Sequence, residues 1–195
     1  DANTALNNRI ASGTFILNYT GHGGEVGLTH ERVIGVDDIN NWENFDKLML
    51  FVTATCEFSR FEDPERTSAG ELSLLNKNGG SIGLLSTTRL VYSSPNFELN
   101  RLFYLNVFEK NADGSRPSLG DVFRTTKNDK GTDSNTRNFT LLADPALKLA
   151  YPKYNIVTTQ IDTNIVSTIP DTLKALSSVT IYGEVRDDSD LLLSA

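Results

Sequence analysis

The chain has 195 residues, 38% of them hydrophobic and 22% charged, which suits one sizeable core with a small appendage and excludes a disordered tail. Lys and Arg number 18 against 25 Asp and Glu, a net charge of -7, so a polybasic surface is excluded and no nucleic acid partner is expected. One Cys and two His exclude an intrachain disulfide scaffold and a Cys-rich zinc site, yet they suffice for a Cys/His nucleophilic pair.

The first residues, DANTALNNRIASG, contain no basic segment followed by an apolar run. No stretch approaches about 18 apolar residues either, so neither a signal peptide nor a membrane span is expected within the chain. A start at Asp1 and an end in LLLSA, directly after a strand-like segment, read as a piece of something longer. The single thiol fits a reducing compartment and an exported protein equally well.

Residues 14–19 (TFILNY) predict a short strand that stops at Gly21-His22-Gly23-Gly24. Asp37 and Asp38 are read as caps of the short segment containing Trp42. Residues 47–55 (KLMLFVTAT) are almost continuously apolar, as in a strand covered on both faces, and stop at Cys56. Ser68-Ala69-Gly70-Glu71 has the Ser-x-x-Glu form of a capping box and predicts a helix ended by Asn78 and Gly79. A third strand over 80–86 (GSIGLLS) is followed by Thr87, Thr88 and Arg89.

Ser94-Pro95 predicts a cap and first-turn proline for a helix from Asn96 to Glu109, with Leu99, Leu102, Phe103, Val107 and Phe108 on its buried face. Ser118 with Asp121 starts a further helix to about Asn128, and DKGTDSNTRN follows as a polar loop. This alternation is that of a parallel α/β domain. After a boundary near residue 152 the segments YNIVTTQI and SSVTIYGEVRD are β-rich without a convincing helix. The stretch 153–195 is too short for a complete β-sandwich of about 100 residues.

His22 and Cys56 both follow predicted strands, and in open parallel sheets catalysts gather outside the carboxyl ends of strands. If the two strands are neighbours, the imidazole can take the thiol proton and the thiolate can attack a carbonyl. Gly21 and Gly23 let the backbone approach a substrate, and the amides of Gly23 and Cys56 are candidate oxyanion donors. An inert buried thiol beside a plain tight turn is the competing reading of the same residues. Glu25 and Glu57 are read as cleft-lining or solvated, and Thr87, Thr88 and Arg89 as lining the cleft from the third strand. His30 has no Cys partner and no His-x-x-x-His spacing, so no role is assigned to it. No metal site is assigned to Asp37 and Asp38, and no cofactor is required.

The blocks FILNYTGHGGE (15–25) and TATCE (53–57) resemble the His-Gly and Ala-Cys blocks of caspase-fold cysteine peptidases, and more narrowly of the gingipain family of bacterial surface proteases. The later NFTLLADPALKLAYP (138–152) resembles the end of that family's catalytic domain, with Ala143-Asp144-Pro145 where Gly-Asp-Pro is usual. The resemblance covers residues 1–150. It implies a caspase-like three-layer sandwich with a parallel sheet, running into the start of an all-β, immunoglobulin-like module over 153–195. It assigns the family's histidine to His22, its nucleophile to Cys56, and its oxyanion donors to the amides of Gly23 and Cys56.

The implied chemistry is endopeptidase cleavage through a thioester acyl-enzyme. In the sortase-like members that serve type IX secretion, cleavage removes a C-terminal sorting domain from secreted cargo, and the acyl group passes to an amine on surface lipopolysaccharide or to water. Such enzymes are exported through the periplasm, associate with the outer membrane and its secretion components, and act at the cell surface; some relatives hold structural calcium. A general surface or secreted protease and a catalytically silent secretion scaffold are the alternatives. In gingipains an acid that orients the histidine and another that shapes a basic-specific S1 pocket both precede the Gly-His-Gly block. Neither can be assigned here, so the chain reads as the C-terminal half of a catalytic domain.

Overall fold

A computed structural model describes residues 1–166, 175–187 and 189–193. The chain divides into two compact units, Asp1–Leu149 and Ala150–Ala195. Among the described residues no helix is long and apolar enough to cross a membrane.

The first unit opens with α1 (Ala2–Ser12), which the sequence reading passes over because its apolar stripe is thin; Asp1 caps it by accepting from Thr4 N. Strand β1 (Ile16–Thr20) follows, then three two-residue strands, β2 (Gly23–Gly24), β3 (Gly27–Leu28) and β4 (Ile34–Gly35), which form a small antiparallel sheet of their own. After α2 (Val36–Asn40) and a 3-10 turn at Phe45–Lys47 come β5 (Met49–Ala54), α3 (Ala69–Leu75) and β6 (Ser81–Thr87). The unit ends with α4 (Ser93–Val107), α5 (Leu119–Lys130), α6 (Ser134–Asn138) and β7 (Phe139–Leu142).

The main sheet has the order β1-β5-β6-β7. β1, β5 and β6 are parallel, as expected, but β7 runs antiparallel to β6, so the sheet is mixed rather than parallel throughout. Every residue of β5 is buried, which its apolar run requires of a central strand. Successive side chains point to opposite faces of the sheet. Met49 and Phe51 pack with Ile10, Ile39, Trp42, Phe58, Ala69 and Leu84, which places α1, α2 and α3 on that face. Leu50 and Gly83 point the other way, where a methyl at Gly83 would lie 3.6 Å from Leu119 of α5.

The capping box forms as read: Ser68 Oγ accepts from Glu71 N while Ser68 N donates to Glu71 Oε2 at 2.8 Å. That helix stops earlier than expected, at Leu75 with Asn76 as its cap, because Asn76 Nδ2 is drawn to the carbonyls of Ile39 and Trp42. α4 begins three residues before the expected start at Asn96, with Tyr92 at the cap position and Ser94 and Pro95 inside its first turn. Leu99, Phe103 and Val107 are buried on it, whereas Phe108 lies past its last turn and is 48% exposed. Part of the polar stretch 129–138 is helical, as α6, with Asp133 as its cap.

In the second unit β8 (Tyr154–Ile161) pairs antiparallel with β10 (Ile181–Asp187) and with β9 (Asn164–Ile165). This is a three-stranded β-sheet, consistent with the expected β-rich character; residues 167–174, 188 and 194–195 of the expected immunoglobulin-like module lie outside the described residues.

Candidate active site

β1 and β5 are neighbours in parallel register, from Ile16 beside Leu50 to Thr20 beside Ala54. His22 and Cys56 each stand two residues beyond that last pair, so equal offsets from paired positions carry both to the same end of the sheet. Gly21 N donates to Ala54 O at 3.3 Å and continues the pairing by one step. A methyl at Gly23 would lie 2.6 Å from Thr55 Oγ1 and 3.2 Å from its Cγ2, so the backbone after His22 rests on the residue before Cys56. Only glycine permits that approach, because Thr55 is 1% exposed and has nowhere to move.

The histidine sits at the base of a hairpin. Gly23 pairs with Leu28 and Gly24 with Gly27, leaving Glu25 and Val26 as a two-residue loop. Gly27 (φ 154°) packs flat on β4, where a methyl would lie 2.4 Å from Ile34 O. Thr29 N donates to His22 O at 2.8 Å, and so does Tyr19 Oη at 2.6 Å. Burial pushes the Tyr19 phenol above its ordinary value. Since His22 and Thr29 make a hydrogen-bonded pair, ladder alternation makes Gly23 and Leu28 a non-hydrogen-bonded one and turns the Gly23 amide away from β3.

The His22 side chain is exposed, and among the described residues its imidazole makes no hydrogen bond. Its ring centroid lies 6.0 Å from that of His30, with planes tilted by 39°. Both rings line an open pocket of ≈ 310 Å³ with Gly24, Thr29 and Arg32. Residue spacing gives His30 no role, because its contact with His22 depends on the hairpin. The loop residues Glu25-Val26 carry none of the Asn-Gly or Gly-x signals of a two-residue turn, so the hairpin is not marked in the sequence.

Cys56 is partly buried, and its thiol donates to Val91 O at 3.5 Å. Its loop is fixed to the end of β6: Thr87 Oγ1 donates to Thr55 O, Glu57 N to Arg89 O at 3.3 Å, and Ser59 N to Thr87 O at 3.1 Å. Phe58 anchors the loop in the core, edge-on to Phe51 at 5.4 Å. Glu57 takes a left-handed conformation (φ 51°), a strained state for a side-chain-bearing residue of the kind that collects at functional sites. An exposed imidazole and a partly exposed thiol at adjacent strand ends are the elements needed for thiol deprotonation and carbonyl attack.

The remaining candidates divide. Glu25 turns from His22 to Arg60, at 2.9 Å, and to Arg66, at 3.4 Å. Glu57 also meets Arg60, at 3.5 Å. Thr87 is fully buried and supports the Cys loop from below rather than facing solvent. Thr88 N donates to Asn138 O at 3.0 Å, and the exposed Arg89 pairs with Glu62. Asp38 caps α2 by accepting from Gly35 N at 2.8 Å, and it also takes hydrogen bonds from Asn3 and Asn7. Burial pushes that carboxyl up, but these three donors together hold it below its ordinary value. Among the described residues no group of three His, Cys, Asp or Glu side chains is placed to hold a metal ion.

Comparison with known proteins yields no match among curated sequences. Among solved structures the chain is similar to the complex of Porphyromonas gingivalis RgpB pro- and mature domains (TM-score 0.67, 16% identity, 80% of this chain and 40% of that one). It is also similar to the Arg-specific cysteine proteinase gingipain R (TM-score 0.63, 17% identity, 80% of this chain and 38% of that one). A third, described as a protease, aligns over 97% of this chain and 49% of its own (TM-score 0.60, 12% identity). The chain thus spans less than half the length of each, and at these identities the likeness shows the caspase-like fold alone. The profile of Peptidase family C25 matches residues 1–150, and the chain accordingly belongs to this gingipain-like family of cysteine peptidases.

Proposed function

We propose that the protein is a cysteine endopeptidase in which Cys56 attacks the scissile carbonyl and His22 takes the thiol proton, then returns it to the leaving amine. The observation that carries this reading is the equal offset of the two residues from the Thr20/Ala54 pair, with Gly23 seated on Thr55. Attack forms a tetrahedral oxyanion, for which the backbone amides of Gly23 and Cys56 are the proposed donors. Collapse gives a thioester on Cys56 and releases the C-terminal fragment.

Within the family we assign the protein to the sortase-like group typified by PorU of type IX secretion. Its substrates are then secreted proteins carrying a C-terminal sorting domain, at the outer membrane facing the exterior. The thioester passes to an amine on surface lipopolysaccharide, with the outer-membrane secretion components as neighbours. The blocks FILNYTGHGGE, TATCE and NFTLLADPALKLAYP support the gingipain-like family as a whole, and the choice between a sortase and a general surface protease falls to experiment. In cells, Cys56→Ala is expected to leave secreted cargo with its sorting domain attached. Normal cargo processing together with lost degradation of added protein identifies a general protease instead. Normal performance in both assays removes the enzyme reading altogether.

A further inference from the structure

The charged residues around Glu25 form a bridge between the two loops that carry His22 and Cys56. Glu25 occupies the tip of the hairpin that begins at His22, and Arg60 lies four residues beyond Cys56. Arg60 Nη1 donates to Glu25 Oε1 at 2.9 Å and lies 3.5 Å from Glu57 Oε1, so one guanidinium nitrogen spans a carboxylate from each loop. Arg66 Nε approaches the other Glu25 oxygen at 3.4 Å. The hairpin tip is held a second time through its backbone, with Ala69 N donating to Glu25 O at 2.7 Å.

Two properties separate this bridge from an ordinary surface ion pair, which contributes little. The Glu25 side chain is only 13% exposed, so loss of Arg60 leaves a largely desolvated carboxylate with only the longer, 3.4 Å approach of Arg66. Arg60 rises from a base that cannot move with it: Phe58 and Ser59 are fully buried, and Ser59 is tied to Thr87. The left-handed backbone at Glu57 turns the chain between nucleophile and arginine. Movement of the hairpin tip therefore transmits to His22, at its base.

The geometry points to Arg60 as a positioning residue that sets the approach of His22 to Cys56 by clamping Glu25 against Glu57. This rests on the pairing of His22 with Cys56 proposed above, and the two claims fail differently. Cys56 is the sole cysteine of the chain, so its alkylation by iodoacetamide at pH 7, followed by peptide mass mapping in the full-length protein, reads the site without a substrate. His22→Ala is expected to slow alkylation roughly tenfold or more, as expected for loss of a base that generates thiolate. Arg60→Gln is expected to slow it several-fold in the native background and to have no effect in the His22→Ala background. Glu25→Gln, which opens the same bridge from the hairpin side, is expected to repeat that pattern. Arg60→Lys is expected to restore only part of the rate, because its ammonium keeps the charge but sits on a shorter side chain than the Nη1 that reaches both carboxylates.

Arg60→Gln and Glu25→Gln without effect, alongside a slowed His22→Ala, overturn the clamp and leave the catalytic pair standing. Equal effects in both backgrounds also overturn it, since they report general loosening of the Cys loop. Undiminished alkylation in His22→Ala overturns the pairing itself.

Discussion

A methyl group added at Gly23 meets Thr55 Oγ1 at 2.6 Å, and the buried Thr55 cannot retreat. Gly23→Ala is therefore expected to destabilise the protein by about 1–3 kcal/mol, the usual range for overpacking. Thr55 Oγ1 has no hydrogen-bond partner of its own, so Thr55→Ala removes both crowding atoms without orphaning another group. The double variant is expected to be more stable than the sum of the single effects by at least about 0.5 kcal/mol in thermal or urea unfolding. Strict additivity would show that the two loops do not touch as described. At this scale the strand-end positions of His22 and Cys56 were legible, because each apolar run ends just before them. The contact with His30 and the capture of Glu25 by Arg60 and Arg66 were not, because they depend on a hairpin and on a separate loop with no shared sequence period.

Helix α6 shows how a short element escapes a periodicity argument: five residues are too few to display a 3.6-residue repeat. Its side chains nevertheless hold the loop that meets the thiol. Asn135 Oδ1 accepts from Tyr92 N at 2.7 Å, and Asn138 Nδ2 donates to Leu90 O at 3.0 Å, on either side of the Val91 carbonyl that receives the Cys56 thiol. Asp133 caps α6 by accepting from Thr136 N at 2.5 Å, so Asp133→Ala is expected to cost about 1 kcal/mol in unfolding experiments. That amide bond is the main reason the Asp133 carboxyl is lowered from 3.8 to about 2. A carboxyl lowered in the folded state contributes stability that is complete above its unfolded value and is lost as pH falls through the folded one. Stability is expected to decline between about pH 4 and 2. Asp133→Asn, which still caps but does not titrate, is expected to flatten that part of the pH dependence. An unchanged acid slope in Asp133→Asn would remove Asp133 from the account. The Ser68–Glu71 capping box and the central strands were readable because they are local or strongly apolar; the antiparallel direction of β7 was not, since residue pattern alone does not give strand direction.

Over the whole molecule, residues 1–150 carry the C25 match while the chain spans under half of the related structures, so the site described here is the part built on β1, β5 and β6. Composition bounded the chemistry, with one thiol and two imidazoles, and the parallel register then brought the thiol and one imidazole to the same sheet end. In the proposed reaction this thiol carries the acyl group. The most direct measurement is an acid quench of the full-length protein during cleavage of a protein substrate, the proposed sorting-domain cargo first, with mass mapping of the Cys56 peptide. An adduct on Cys56 equal to the N-terminal cleavage fragment is expected, released by hydroxylamine as a thioester must be and absent in Cys56→Ala. Cleavage at full rate in Cys56→Ala, with no adduct in the native protein, would contradict the proposed reaction.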